Sequence, residues 1–380
     1  MRHLHFTQSL EPLTGGGMGL STVALHRHMM SLGVASTLCA TYGQAPQCPA
    51  DHVLEFRRIK PDFLYYSPEM RARGADLVAQ ADVVHGHGFY VGTNLVFGRE
   101  ARRQHKPLVY HCHGFFEPWI LNRSRWKKHL VHWLFEDANF RHVRLWRALT
   151  EKEASQIRAC GIRGPIVLAP VGIDPAMLAP PPDLDAPIDT PLVPNLVKSR
   201  RRALFISRLH PKKGLDLLVP AWASLGKTVA DWELILAGPD EGGYAVTIDR
   251  LISAHGLSES VRRVGKVSAE AKVRLLHSAD LFVLPSYSEG FPTSLLEAMA
   301  CAAPVLATRE CNFPEVTNSQ AGWECDASVE SVSAALRTAL LADEAERKQR
   351  GLSGRKLVET RYTWPSVVTC LLEACETHCA

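Results

Sequence analysis

The sequence predicts an α/β protein of two domains. Its 380 residues exceed one ordinary core. Short apolar runs alternate with helical patterns in both halves, which is the pattern of parallel-sheet proteins. A segment with six prolines and no periodicity, APPPDLDAPIDTPLVPN from Ala179, separates the halves. The expected division is 1–178, a linker at 179–199, a second domain at 200–362, and a last helix at 363–380 that packs back on the first domain.

Composition narrows the class. Hydrophobic residues at 46% and charged residues at 22% describe an ordinary globular chain. A net charge of +4 is too mild to argue for nucleic acid. No apolar run approaches the roughly 18 residues of a membrane span. The N-terminus, MRHLHFTQSLEPLTGGG, lacks an apolar signal core and reads as a strand and a loop. Ten cysteines without a CxxC pair read as reduced thiols, and a cytoplasmic location is the expectation.

Taken in order, residues 2–7 form a strand, and Leu13-Thr-Gly-Gly-Gly-Met-Gly19 opens a helix that Gly33 ends. The glycines occupy the place of a phosphate-approach loop or of a flexible turn. They match neither GxGxxG nor a P-loop. Strands follow at 34–41, 82–85, 107–111 and 166–169. A capping box, Thr150-Glu-Lys-Glu153, starts a helix that ends at Gly161. In the second half, strands fall near 203–207, 232–237, 261–264, 281–284 and 304–306. Helices fall near 214–226, 245–256, 269–277, 294–301, 328–342, 344–361 and 365–378.

Chemistry concentrates on Ser286–Ala300, SYSEGFPTSLLEAMA. A strand, a turn and an apolar helix in succession present the turn at the carboxyl edge of a sheet, where open α/β folds bind ligands. Glu289 and Glu297 bracket the turn. Carboxylates suit hydroxyls, and free N–H groups at a helix start suit an anion. Together these describe a nucleotide sugar. Ser294 to Glu297 also fits a purely structural capping box. Arg208 and Lys213, five residues apart in SRLHPKKG, lie on a similar loop and can clamp a diphosphate, or form a basic surface loop.

These residues resemble glycosyltransferase family 4, retaining transferases of the GT-B fold. The likeness covers nearly the whole chain and rests on Glu289…Glu297, SRLHPKKG, the glycine-rich first loop and Glu117-Pro-Trp119. It implies two facing Rossmann-like domains with a deep interdomain cleft, and a nucleotide-diphosphate sugar as donor. Glu297 would hold the ribose hydroxyls and Glu289 the sugar hydroxyls. Gly290, Phe291, Pro292 and Thr293 would line the sugar and phosphate with backbone N–H groups. Arg208 and Lys213 would neutralise the diphosphate, while Lys266 and Val267 frame the base. Gly16 and Gly17 would let the first domain approach the donor, and His113 would reach the reacting sugar. The implied catalytic set is His113, Arg208, Lys213 and Glu289, with no metal and no cofactor. Glu117 and Trp119 are the expected acceptor residues.

Two features have competing readings. Arg123 to Arg147 holds seven Arg and Lys against two acids, with Trp126, Leu130, Trp133 and Leu134 at helical spacing. This suits peripheral contact of 119–147 with an anionic membrane carrying a lipid-linked acceptor, or ordinary packing. Four H-x-H pairs (His3/His5, His26/His28, His85/His87, His111/His113) place histidines on shared strand faces. No third metal ligand is evident, and buried core histidines are the commoner outcome. Asp183-Leu-Asp185 reads as solvated linker.

The expected function is a retaining, metal-independent hexosyl transfer from a UDP- or GDP-type donor to a glycan or lipid-linked acceptor in polysaccharide assembly. A non-catalytic nucleotide-sugar scaffold and a nucleotide-sugar epimerase are the alternatives. No carboxylate pair fit for an epimerase is identifiable, and no nucleic acid is expected as partner.

Overall fold

A computed structural model describes residues 1–11, 16–48, 50–117, 129–180 and 200–380. The chain divides into two compact units, Met1–Gly172 with Trp364–Ala380, and Ile173–Thr363. The boundary falls at Gly172 rather than 178, because Ile173, Met177 and Leu178 pack with the second core. Most of the proline-rich linker, 181–199, lies outside the described residues, and Asp183 and Asp185 with it.

The first unit holds a seven-stranded parallel sheet. Its strands are β1 (His3–Ser9), β2 (Ser36–Tyr42), β3 (Val53–Arg57), β4 (Val83–His87), β5 (Leu108–His111), β6 (Val143–Ala148) and β7 (Ile166–Leu168). Their order, β3-β2-β1-β4-β5-β6-β7, reverses direction between β1 and β4. One face carries Leu4, Phe6, Val84, Tyr110 and Trp146 into an apolar cluster. The opposite face carries Val83, Val109 and Leu145 together with the histidines. Leu25 and Met29 of the first helix, Gly16–Ser31, and Trp364, Val367, Val368 and Leu371 of the last helix, Trp364–Cys379, pack over that face.

The structure corrects the helical reading of the basic segment from Arg123 to Arg147. Residues 118–128, with Trp119 and Trp126, lie outside the described residues. Beyond them the chain is helical only to His142, and Val143–Ala148 is β6. Trp146 and Arg147 are buried there rather than facing solvent. A strand wins because this stretch pairs on both sides, with β5 and β7.

Within the aromatic layer sits a buried carboxyl. Tyr110 Oη donates to Glu136 Oε1 at 2.8 Å, and the Tyr90 N–H donates to Oε2 at 3.1 Å. Burial pushes the Glu136 pKa up to about 7. The folded state therefore prefers the protonated form. That contribution to stability is full below the ordinary value near 4.5 and is lost as pH rises through about 7. Glu136→Gln should gain on the natural chain by up to about 3 kcal/mol between pH 5 and pH 8. Urea unfolding of both proteins at the two pH values measures this, and parallel behaviour would contradict it.

The second unit holds a six-stranded parallel sheet: β8 (Arg201–Ile206), β9 (Trp232–Ala237), β10 (Val261–Gly265), β11 (Leu281–Leu284), β12 (Val305–Thr308) and β13 (Gly322–Cys325). The order is β10-β9-β8-β11-β12-β13, so direction reverses between β8 and β11. Those two strands are hydrogen-bonded neighbours. The loops that leave their carboxyl ends, 207–214 and 285–292, are thus brought side by side although they lie far apart in sequence.

Candidate functional site

The 207–214 loop returns sharply at Gly214. Its φ is +69°, and a Cβ there would lie 1.9 Å from the carbonyl oxygen of Pro285. Only glycine permits this contact between the two loops. The Tyr287 N–H donates to the Lys212 carbonyl at 2.9 Å and closes the junction. Lys213 Nζ meets Glu289 Oε1 at 2.7 Å, and Ser286 Oγ donates to the same oxygen at 2.5 Å. Both partners are largely buried, so the pair is positioned rather than free to swing. The backbone of Glu289 is clamped as well. Its N–H donates to Glu310 O at 3.1 Å, and Asn312 Nδ2 donates to Glu289 O at 2.9 Å.

Arg208 lies on the same loop but is 63% exposed, and it pairs with Glu241 at 2.5 Å. Lys266 is exposed and Val267 half-buried after β10. The helix Thr293–Ala300 begins at Pro292 without a side-chain cap, so the Ser294 capping box does not form. Glu297 turns instead to Lys272 Nζ at 2.6 Å. Sequence reasoning missed Lys272, which sits on another helix, and no local signal marks the pair.

The backbone donors need one correction. Pro292 has no N–H, and that of Thr293 is taken by Phe291 O at 3.0 Å. Gly290 and Phe291 retain amides without an acceptor among the described residues, in a turn directly before a helix start. The turn combines a fixed cation, a fixed carboxylate and open amides.

In the first unit, Gly16 and Gly17 begin the first helix, and a Cβ on either would meet open space. Residues 12–15 lie outside the described residues. His113 follows β5 with φ +48°, a left-handed conformation that costs a non-glycine residue energy and often marks a functional turn. Glu153 holds this turn. Its Oε1 accepts the Gly114 N–H at 2.5 Å and its Oε2 accepts that of Leu149 at 2.6 Å. Thr150 caps the helix by accepting from Glu153 N at 3.1 Å. The second half of the expected capping box is thus redirected to the N–H groups of Gly114, in the turn after His113, and Leu149. Glu117 lies in the same turn, its N–H donating to Gly114 O at 3.0 Å.

The histidines of β1, β4 and β5 form two columns. His5 Nδ1 meets His87 Nε2 at 3.0 Å, and His87 Nδ1 meets His113 Nε2 at 3.0 Å. Alongside, His3 Nδ1 meets His85 Nε2 at 2.8 Å, and His85 Nδ1 meets His111 Nε2 at 3.0 Å. Arg147 Nη1 approaches His111 Nδ1 at 3.2 Å and gives its other donors to Ala169 O and Pro170 O. Burial lowers the pKa of each ring, to about 4 for His3 and about 3 for His113, with Arg147 adding to the effect at His113. His5, His87 and His111 lie close enough for one cation, a convergence from three strands that sequence spacing concealed. All six of their ring nitrogens already have partners, however, and the Arg147 guanidinium stands against His111. This chemistry suits a hydrogen-bond relay better than a metal.

Two parallel α/β units with loops at a strand-order reversal define a doubly wound architecture, in which ligands bind at that edge. Solved structures share the fold. HepE of Anabaena, in complex with UDP, superposes with a TM-score of 0.78 at 18% identity over 99% of this chain and 100% of that one. The model for Glycosyl transferases group 1 matches residues 193–357, and that for Glycosyltransferase Family 4 matches residues 15–177. The chain belongs to glycosyltransferase family 4, with the GT-B fold. Among curated relatives, the GDP-mannose-dependent alpha-(1-6)-phosphatidylinositol monomannoside mannosyltransferase of Mycolicibacterium smegmatis is 31% identical over 211 residues, 51% of this chain and 52% of that protein. The amylovoran biosynthesis glycosyltransferase AmsK of Erwinia amylovora is 30% identical over 168 residues, 42% of this chain and 41% of that protein. The chain spans about half the length, or less, of the curated relatives it matches.

Proposed function

We propose that this protein transfers a hexose from a nucleotide-diphosphate sugar of UDP or GDP type to a glycan or lipid-linked acceptor in polysaccharide or glycolipid assembly. The observation that carries this reading is the turn at β11, where Lys213, Glu289 and the open amides of Gly290 and Phe291 converge. Glycosyl transfer develops an oxocarbenium-like sugar while negative charge grows on the departing diphosphate. Lys213, the amides and Arg208 stabilise that charge, so no divalent metal is needed. Glu289 engages Lys213 through Oε1, which leaves Oε2 to accept a sugar hydroxyl. Glu297 engages Lys272 in the same way and keeps one oxygen for the ribose. Lys266 and Val267 flank the base.

We assign retention, with the acceptor hydroxyl attacking on the face the diphosphate leaves and a phosphate oxygen taking its proton. His113 and Glu117, at the end of β5, serve the sugar and the acceptor. Leu130, Trp133 and Leu134 are exposed, Trp133 by 79%, which supports peripheral contact with a membrane bearing the acceptor. Among the described residues no helix is long and apolar enough to cross a membrane. All ten cysteines are free, which supports a reducing compartment.

A thermal-shift series with UDP, GDP, ADP, NAD and their sugar conjugates, with and without EDTA, tests the reading. A ligand at a hundred times its dissociation constant stabilises by about 2.7 kcal/mol. The expected result is a shift with one nucleoside diphosphate that EDTA leaves unchanged and Glu297→Ala removes. A shift with NAD alone, or with none, overturns it.

A further inference from the structure

We propose that Met29, acting through His5 and His87, fixes the tautomer of His113 so that its Nδ1 stays bare as a hydrogen-bond acceptor for a ligand hydroxyl. The starting point is the 3.2 Å contact between His5 Nε2 and Met29 Sδ. A thioether sulfur accepts a hydrogen bond but has no hydrogen to give. The proton of His5 is therefore on Nε2. A neutral imidazole has one N–H, so His5 Nδ1 accepts. Its partner at 3.0 Å, His87 Nε2, must donate. His87 Nδ1 then accepts, and His113 Nε2, also 3.0 Å away, must donate in turn. The only nitrogen left without a proton at the end of the column is His113 Nδ1.

The premise of neutrality holds for every ring in the column. Burial holds His5 and His87 well below their ordinary value, and the Arg147 charge acts in the same direction on all three. The neighbouring column is polarised independently. Arg147 can only donate, so His111 Nδ1 accepts, and the same logic runs through His85 to His3. The two columns stack, His5 on His85 and His87 on His111, with ring centroids 4.3 and 4.0 Å apart. None of these four rings can therefore turn over to reverse its bonds without breaking the stack it belongs to.

His113 is a partly exposed residue, and its turn is pinned by Glu153 through the Gly114 N–H. A bare nitrogen there welcomes a hydroxyl and repels a carboxylate or phosphate oxygen. If the donor reading above holds, on which this consequence rests, the site favours a neutral hexose over a uronate at that contact. Met29, His5 and His87 are positioning residues, since none reaches the ligand itself.

The test is ¹⁵N NMR of the imidazole rings in the full chain at pH 7.5, with nucleotide binding measured on the same samples. In the natural protein, His5, His87 and His113 should each be protonated at Nε2. Met29→Leu conserves volume and removes the acceptor. It should yield mixed tautomers in the three rings and a roughly three- to tenfold fall in kcat, with the nucleotide-induced thermal shift retained. A proton on His113 Nδ1 in the natural protein overturns the proposal, and so do unchanged tautomers in Met29→Leu. Expected tautomers without any nucleotide shift would remove the donor reading and uphold the relay. Inverted tautomers with an intact nucleotide shift would do the reverse.

Discussion

At pH 5.5 the first unit is expected to unfold while it remains folded at pH 7.5. Six rings, those of His3, His5, His85, His87, His111 and His113, are held neutral by burial, with Arg147 adding to the effect at all but His3. Their folded pKa values lie below the ordinary 6.5, at about 4 for His3 and about 3 for His113. The unfolded chain thus binds protons that the folded chain refuses. Stability is full above about pH 6.5 and is lost as pH falls toward the folded values. Each ring contributes a slope approaching 1.4 kcal/mol per pH unit, so the six together approach about 8. Burial raises the carboxyls of Glu136 and Glu153, which work the other way, but they are two groups against six. A domain's whole stability is about 5–15 kcal/mol, so one pH unit removes much of it. Urea midpoints followed by far-ultraviolet circular dichroism between pH 7.5 and 5 should show the collapse. An unchanged midpoint at pH 5.5 would mean that the columns are solvated and ionise in place.

The second large effect concerns rate. Lys213→Met should lower kcat for sugar transfer by roughly 10²- to 10³-fold, since removing one preorganised group that meets developing charge has that size of effect. A complication follows from its partner. Removing the lysine leaves Glu289 buried beside Ser286 without its cation, and breaking such a pair destabilises by about 3–5 kcal/mol. The double variant Lys213→Met, Glu289→Gln removes both charges and should fold while remaining inactive. Release of nucleoside diphosphate, measured at saturating donor, separates the two effects. Activity in the folded double variant within threefold of the natural chain would show that the departing group is stabilised elsewhere.

Much of this was legible in the sequence because it is local. The strand, turn and helix at 281–300 and the basic loop after β8 each announce themselves within about twenty residues. What joins them is strand order, and strand order is a property of the sheet. The same holds for the histidines. The H-x-H spacing predicts a shared face, but only the adjacency of β1, β4 and β5 turns three pairs into columns. Arg147 defeated hydropathy, because a buried guanidinium is tolerated only where carbonyls such as Ala169 O and Pro170 O await it. Charge spacing alone therefore extends the basic helix through Arg147, where the chain is already in β6. The Lys272–Glu297 pair joins two helices and left no pattern to read. The Thr150–Glu153 spacing marks a cap, yet the Glu153 carboxylate serves a turn 39 residues earlier.

The last helix belongs to the first unit although the second unit lies between them in the chain. A ribosome therefore delivers the cover of the histidine face last. Until Trp364, Val367, Val368 and Leu371 emerge, Val83, Val109 and Leu145 lack part of their packing, whereas Ile173–Thr363 can already close its own core. During synthesis, the first unit is completed only after the second. A stop codon just before Trp364 would therefore strip the cover from the first unit's sheet and leave the core of Ile173–Thr363 whole.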